Sequence, residues 1–278
     1  MFDTNAVKIP KVAAIQLTST HHVDENLKTA EALISEAASN GAQLIVLPEM
    51  FAIMGEIATD KVVVAEKYSD GKIQSFLSRC AKQYNAWIIG GTIPIQCNNK
   101  NKIRAACIVY NNNGDAVARY DKMHLFDVTV SATESYRESN TTEPGDSVVV
   151  IDTPVGKLGL AVCYDVRFPA LFTQLMNRGA EIIALPSAFT IKTGQAHWHL
   201  LTRARAIDTF CYVIGSAQVG THANGRQTYG HTLIVDPWGR ITSEITEEKS
   251  GIVYTDIDLK KLHDIRNAIP IKNHQKIK

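Results

Sequence analysis

The stretch GAQLIVLPEMF (41–51) returns further along the chain as GAEIIALPSAF (179–189), with Gly, Ala, Ile, Leu, Pro and Phe at the same places. Each copy follows a helix-period segment, and ahead of each helix stands an apolar run opening with lysine, KVAAIQL at 11–17 and KLGLAVC at 157–163. Strand–helix–strand therefore occurs twice. The offset is 146 residues for the first strand and 138 for the second, so the first copy carries eight more residues between its strands. β-rich runs alternating with helical periodicity indicate an α/β fold with parallel strands, since a parallel pair needs a crossover connection. The helices are expected near 24–39, 71–84, 168–178 and 195–209, and further strands over 86–92, 211–217, 228–236 and 251–256. RAACIVYNNNGDAVARY (104–120) reads as two strands turning at Asn113-Gly114, a dipeptide that tolerates positive φ. No Pro/Gly/Ser-rich linker separates the halves. One domain over 1–278 is expected, with two sheets face to face, helices outside, a core over about 10–258 and a short C-terminal tail over 259–278.

Composition excludes several classes. Lys+Arg of 29 against Asp+Glu of 28 provides no charge bias toward nucleic acid or an acidic membrane. No apolar run approaches the ~18 residues of a membrane span, and the N-terminus lacks the apolar core of a secretory signal, so a cytoplasmic protein is expected. The five cysteines form no CxxC pair, which speaks against zinc or a disulfide framework. His197 and His199 in HWH are two apart on an expected helix, point to different sides and cannot chelate together; no metal site is expected.

Ligands of parallel α/β sheets gather at the carboxyl ends of strands. Glu49 ends the strand LIVLP, and Cys163 ends LGLAV before the turn Tyr164-Asp165-Val166-Arg167. A thiol there meets outward-pointing backbone N–H groups, which favours thiolate and can hold an oxyanion. Taken alone Cys163 is as readily a packing cysteine, and Lys122 in YDKMH and Glu138 in YRESN are ordinary surface charges.

Read together, LPEMF with Glu49, YDKMHLFD with Lys122 and GLAVCYDVRFP with Cys163 resemble the three signature blocks of the nitrilase (carbon–nitrogen hydrolase) superfamily, over about residues 10 to 270. The resemblance implies a four-layer α-β-β-α sandwich, no cofactor, a homodimer and a Glu49–Lys122–Cys163 triad, with Glu138 as a second glutamate beside Lys122. The implied reaction is hydrolysis of a small amide to acid and ammonia through a cysteine thioester. Glu49 would act as base, with Lys122 and the Tyr164 N–H holding the oxyanion. The stretches 186–220 and 229–239 are most similar to the amidases acting on deaminated glutathione, a branch near the ω-amidases of α-ketoglutaramate and α-ketosuccinamate. Both substrate types carry carboxylates. Phe189 and Thr193 are expected to line that carboxylate's pocket, and Arg167 to pair with it or else with Asp165. Other readings are an ω-amidase, a nitrilase, a papain-like Cys–His pair with His124 or His231 as base, and a catalytically silent binding protein on the same fold.

Overall fold

The computed structural model describes residues 9–132 and 134–277. Two sheets form the centre. The first runs in the order Gly251–Asp256, Lys11–Gln16, Ala42–Val46, Trp87–Ile89, Ile103–Tyr110 and Ile93–Gln96, with Ala116–Asp121 also paired to Ile103–Tyr110. The second runs Ile241–Glu244, Leu233–Val235, Tyr212–Gly215, Ile182–Ala184, Gly156–Leu160 and Val150–Thr153. In each, three adjacent parallel strands are flanked by antiparallel neighbours. The sequence repeat is thus a repeat of sheet topology.

Strand alternation sorts the first sheet's side chains. Val12, Ala14, Leu44 and Val46 pack in one core with Leu160, Ile183 and Val213 of the second sheet. Ala13, Ile15 and Ile45 point the other way, onto Leu27, Ala30 and Ile34 of helix Val23–Ser39 and Phe76, Leu77 and Cys80 of helix Lys72–Gln83. Those helical positions recur at three- and four-residue spacing, which is why each helix offers one apolar stripe to the sheet. Helices Pro169–Asn177 and Ile191–Thr209 cover the second sheet in the same way. The result is a four-layer α-β-β-α sandwich. Among the described residues no helix is long and apolar enough to cross a membrane.

Several boundaries differ from the sequence expectation. The helix expected at 195 begins at Ile191, because Thr190 caps it by accepting from the Thr193 N–H. The strand expected over 228–236 is two strands, broken where Gly230 (φ 70°) and His231 (φ 55°) turn left-handed. The hairpin at Asn113-Gly114 has a five-residue loop, organised by Asn111 Oδ1, which accepts from the N–H groups of Asn113 and Asp115. The expected tail opens with helix Leu259–Ala268, which buries Leu262 completely and sends Arg266 to the carbonyls of Ala180 and Phe210.

Candidate active site

Glu49 follows the end of strand Ala42–Val46, and its backbone is held from three sides. Gln218 Nε2 donates to its carbonyl at 3.0 Å, and the Thr92 hydroxyl accepts from the Met50 N–H at 2.9 Å. Gly91 passes so close beneath that a Cβ there would collide with the Pro48 carbonyl, and its φ of 54° also favours glycine. Lys122 follows strand Ala116–Asp121, fixed by its N–H donating to the Ala105 carbonyl at 3.0 Å.

Cys163 lies beyond strand Gly156–Leu160, where the chain enters a tight 3-10 turn over Cys163–Arg167. Its φ of 48° is left-handed, a conformation costing ~1–3 kcal/mol for a side chain of this kind and maintained only when surroundings over-determine it. They do. The Cys163 N–H donates to the Pro186 carbonyl at 2.8 Å, and the fully buried Asp165 accepts from the Val162 N–H at 2.8 Å and the Tyr120 hydroxyl at 2.7 Å.

These elements bring the three expected side chains and Glu138 to one place. Lys122 Nζ donates to Glu49 Oε1 and to Glu138 Oε2, each at 2.8 Å, with 2% of the lysine side chain exposed. The Phe126 N–H donates to the same Glu138 oxygen at 2.7 Å. Burial disfavours the Lys122 ammonium, yet Glu138, Glu49 and Cys163 outweigh it and hold the group well above the usual lysine range. Burial likewise opposes ionised Glu138, but Lys122 and Lys61 with the Phe126 N–H bring its carboxyl below the usual range. Burial pushes the Cys163 thiol up, and Glu49 adds to that more than Lys122 relieves it. Burial and the acidic neighbour thus favour the thiol, against the backbone dipoles that favour thiolate at a strand end.

A cavity of about 780 Å³ opens onto this cluster, lined by Glu49, Lys122, Glu138, Cys163, Tyr164, Phe189 and Thr193, all singled out from the sequence. Arg167 does not line it. Its guanidinium lies 5.9 Å from the Tyr164 ring and 5.7 Å from the Phe189 ring, and hydrogen-bonds His197 at 3.2 Å. Asp165, the expected protein partner, is taken up by other donors, and two aromatic rings that do line the cavity stand against Arg167.

The cavity also contains groups that sequence reasoning passed over: Lys61, Tyr136 and Arg226. Arg226 had a readable signal. Asn224-Gly225 is a hairpin dipeptide like the one read at 113–114, and it turns the chain between strands Val219–Thr221 and Gln227–Tyr229. Lys61, on the short helix Asp60–Val63, had none.

Neither histidine offered as a papain-like base lines the cavity. His124 bonds Asp165 Oδ1 through Nδ1 at 2.7 Å and stacks on Phe168 at 3.7 Å. His231 Nδ1 and His199 Nε2 both bond Glu244 Oε1 at 2.6 Å. The HWH pair is split as expected, but His199 meets a histidine and a carboxylate from other elements, a cluster with metal-ligand chemistry that i, i+2 spacing did not anticipate.

Residues 11–267 match the model of the carbon-nitrogen hydrolase family. The chain is 40% identical to a deaminated glutathione amidase of Yersinia enterocolitica, covering 97% of this chain and 94% of that one. It is 39% identical to the deaminated glutathione amidase of Homo sapiens, over 98% of this chain and 84% of that one. Among solved structures, Nit3 of Saccharomyces cerevisiae, a member of branch 10 of the nitrilase superfamily, superposes with a TM-score of 0.84 at 33% identity, covering 94% of each chain.

Proposed function

The chain belongs to the carbon–nitrogen hydrolase family, and from that premise we propose that it hydrolyses deaminated glutathione, cleaving the amide that joins the α-keto acyl half to the peptide remainder. The acyl half is the one shared with α-ketoglutaramate, the substrate type of the neighbouring branch. Glutathione has no primary amide, so the leaving group is the amine of a dipeptide; ammonia, the expected product of a simple amide, is not released from this substrate. The chain is an enzyme of the amidase kind, and the observation that supports the residue roles is the convergence of Cys163, Glu49 and Lys122 on one cavity.

In this reading Glu49 takes the proton of the Cys163 thiol as the sulfur attacks the scissile carbonyl carbon. A neutral thiol makes that base necessary, and the Lys122–Glu49 bond at 2.8 Å orients its carboxylate. The carbonyl oxygen becomes an oxyanion held by the Lys122 ammonium and the Tyr164 N–H, donors of a kind worth ~3–4 kcal/mol each. As the tetrahedral centre collapses, the C–N bond breaks and Glu49 returns the proton to the departing amine. Water, deprotonated by Glu49, then attacks the thioester, and the thiol leaves with that proton. Glu138 stays ionised and holds Lys122 charged and in place. Arg167 is a positioning residue behind Tyr164 and Phe189, and Thr193 faces the cavity from the first turn of its helix.

A thiol nucleophile works only while reduced, which suits the cytoplasm. A homodimer is supported by the exposed apolar side chains Leu200, Ile207 and Trp238, clustered about helix Ile191–Thr209. The decisive experiment feeds the purified protein deaminated glutathione and α-ketoglutaramate. Higher kcat/KM for deaminated glutathione, with one dipeptide amine released per keto acid, is expected; the reverse ranking overturns the substrate assignment.

A further inference from the structure

Arg226 takes no part in the bond-breaking steps, yet it faces the same cavity. Its Nη2 donates to the Ala188 carbonyl at 2.5 Å, and its guanidinium carbon lies 5.0 Å from the Tyr136 ring centre. Its Nε is sealed from solvent with no partner, and no carboxylate pairs with the guanidinium, among the described residues. A carbonyl and an aromatic face leave a full positive charge without a counter-ion in a partly desolvated wall, which is costly unless an anion arrives.

Lys61 adds a second cation. Its Nζ donates to the Thr142 hydroxyl at 3.0 Å. Burial pulls its pKa down, and Lys122 and Arg226 add to that against the pull of Glu138 and Glu49. The lining as a whole carries five cations (Lys61, Lys122, Arg137, Lys192, Arg226) and four carboxylates (Glu49, Glu56, Glu134, Glu138), one positive charge in excess.

From the unpaired guanidinium and this surplus we infer that Arg226, with Lys61 on the same cavity lining, forms an anion subsite that receives a carboxylate of the amide substrate. The subsite is near the chemistry. Ala188 and Cys163 line the same cavity, and Arg226 grips the Ala188 carbonyl. In an α-ketoglutaryl group four bonds separate the scissile carbonyl carbon from the carboxylate carbon, about 5 Å at ordinary bond lengths. The C-terminal carboxylate of the dipeptide half is the other source of the same chemistry. The inference rests on the amidase reading above, and it gives the substrate's charge a receptor that Arg167, outside the cavity lining, does not provide.

The test measures kcat/KM of wild type, Arg226→Lys and Arg226→Met on deaminated glutathione, its C-terminal glycinamide, α-ketoglutaramate and butyramide. The acid-over-neutral ratio is expected to fall about 100-fold in Arg226→Met and about tenfold in Arg226→Lys, as for a buried charge pair losing its bidentate partner. A fall for both keto-acid substrates against butyramide places the carboxylate on the acyl half. A fall confined to deaminated glutathione against its glycinamide places it on the leaving half. An unchanged ratio in both variants overturns the subsite, because a purely structural arginine would affect all amides alike.

Should the variants fail to fold, wild type decides: α-ketoglutarate must inhibit at least about tenfold more tightly than its diamide, or cysteinylglycine at least about tenfold more tightly than its C-terminal amide, and equal inhibition within both pairs overturns the proposal. If wild type ignores deaminated glutathione while the ratio on α-ketoglutaramate still depends on Arg226, the substrate assignment falls and the subsite stands. If deaminated glutathione is the best substrate and no ratio depends on Arg226, the subsite falls and the assignment stands.

Discussion

Lys122 donates to Glu138 at 2.8 Å across a contact in which 2% of the lysine and 14% of the glutamate side chain are exposed. Lys122 keeps Glu49 as a counter-ion when the Glu138 charge is removed, so the loss is that of one hydrogen bond between charged groups, ~1.5–3 kcal/mol. Glu138→Gln is therefore expected to lower stability by about that much in urea unfolding and to lower kcat. It should also change the pH profile. Glu138 sits below its ordinary 4.5, so its contribution is full above that value and is lost as pH falls through the lower folded pKa. Lys122 sits above its ordinary 10.5, so its contribution is full below that value and is lost as pH rises through the folded pKa. The wild type should lose stability at both ends, and the variant should show a flattened acid arm; an unaltered acid arm would assign that loss to other carboxylates.

Cys163 should alkylate slowly at neutral pH. Burial, then Glu49, raises its thiol above the ordinary 9.0, so the rate with iodoacetamide should keep climbing beyond pH 9. A plateau near pH 7 would show a preformed thiolate and remove the need for Glu49 as base. Cys163→Ala is expected to abolish amine release with an unchanged circular dichroism spectrum.

Glu49 and the histidines make opposite predictions. Glu49→Gln should cost about 10²–10⁴ in kcat, the range for loss of a general base. His231→Asn, in a residue bonded to Glu244 and outside the cavity lining, should change kcat less than fivefold or so. Steady-state rates with the histidine variant inactive and Glu49→Gln active would restore the Cys–His reading.

Arg167 packs behind Tyr164 and Phe189, so Arg167→Lys should weaken turnover of acidic and neutral amides by similar factors. Lysine cannot reproduce the planar stacking, and both rings would loosen. A loss restricted to acidic amides would return Arg167 to the direct role expected from its sequence position.

Much of this site was legible in one dimension because its key residues stand at the ends of strands. A strand announces itself through local apolar runs, and the repeated Gly-Ala…Leu-Pro string revealed two equivalent halves before any contact was known. Glu49 and Cys163 could be placed by that logic alone, whereas the partnership of Glu49, Lys122 and Glu138 came from family likeness and is visible physically only where side chains meet.

What tertiary structure alone decided is charge and access. The protonation of Cys163 follows from burial against Glu49, residues 114 positions apart in the chain. Arg167, four residues from the nucleophile, was turned outside the cavity lining, while Lys61 from a short helix and Arg226 from a hairpin turn reached it. Periodicity records which residues shun water within an element. Desolvation and Coulomb terms depend on distances between elements, and those exist only once the two sheets have packed.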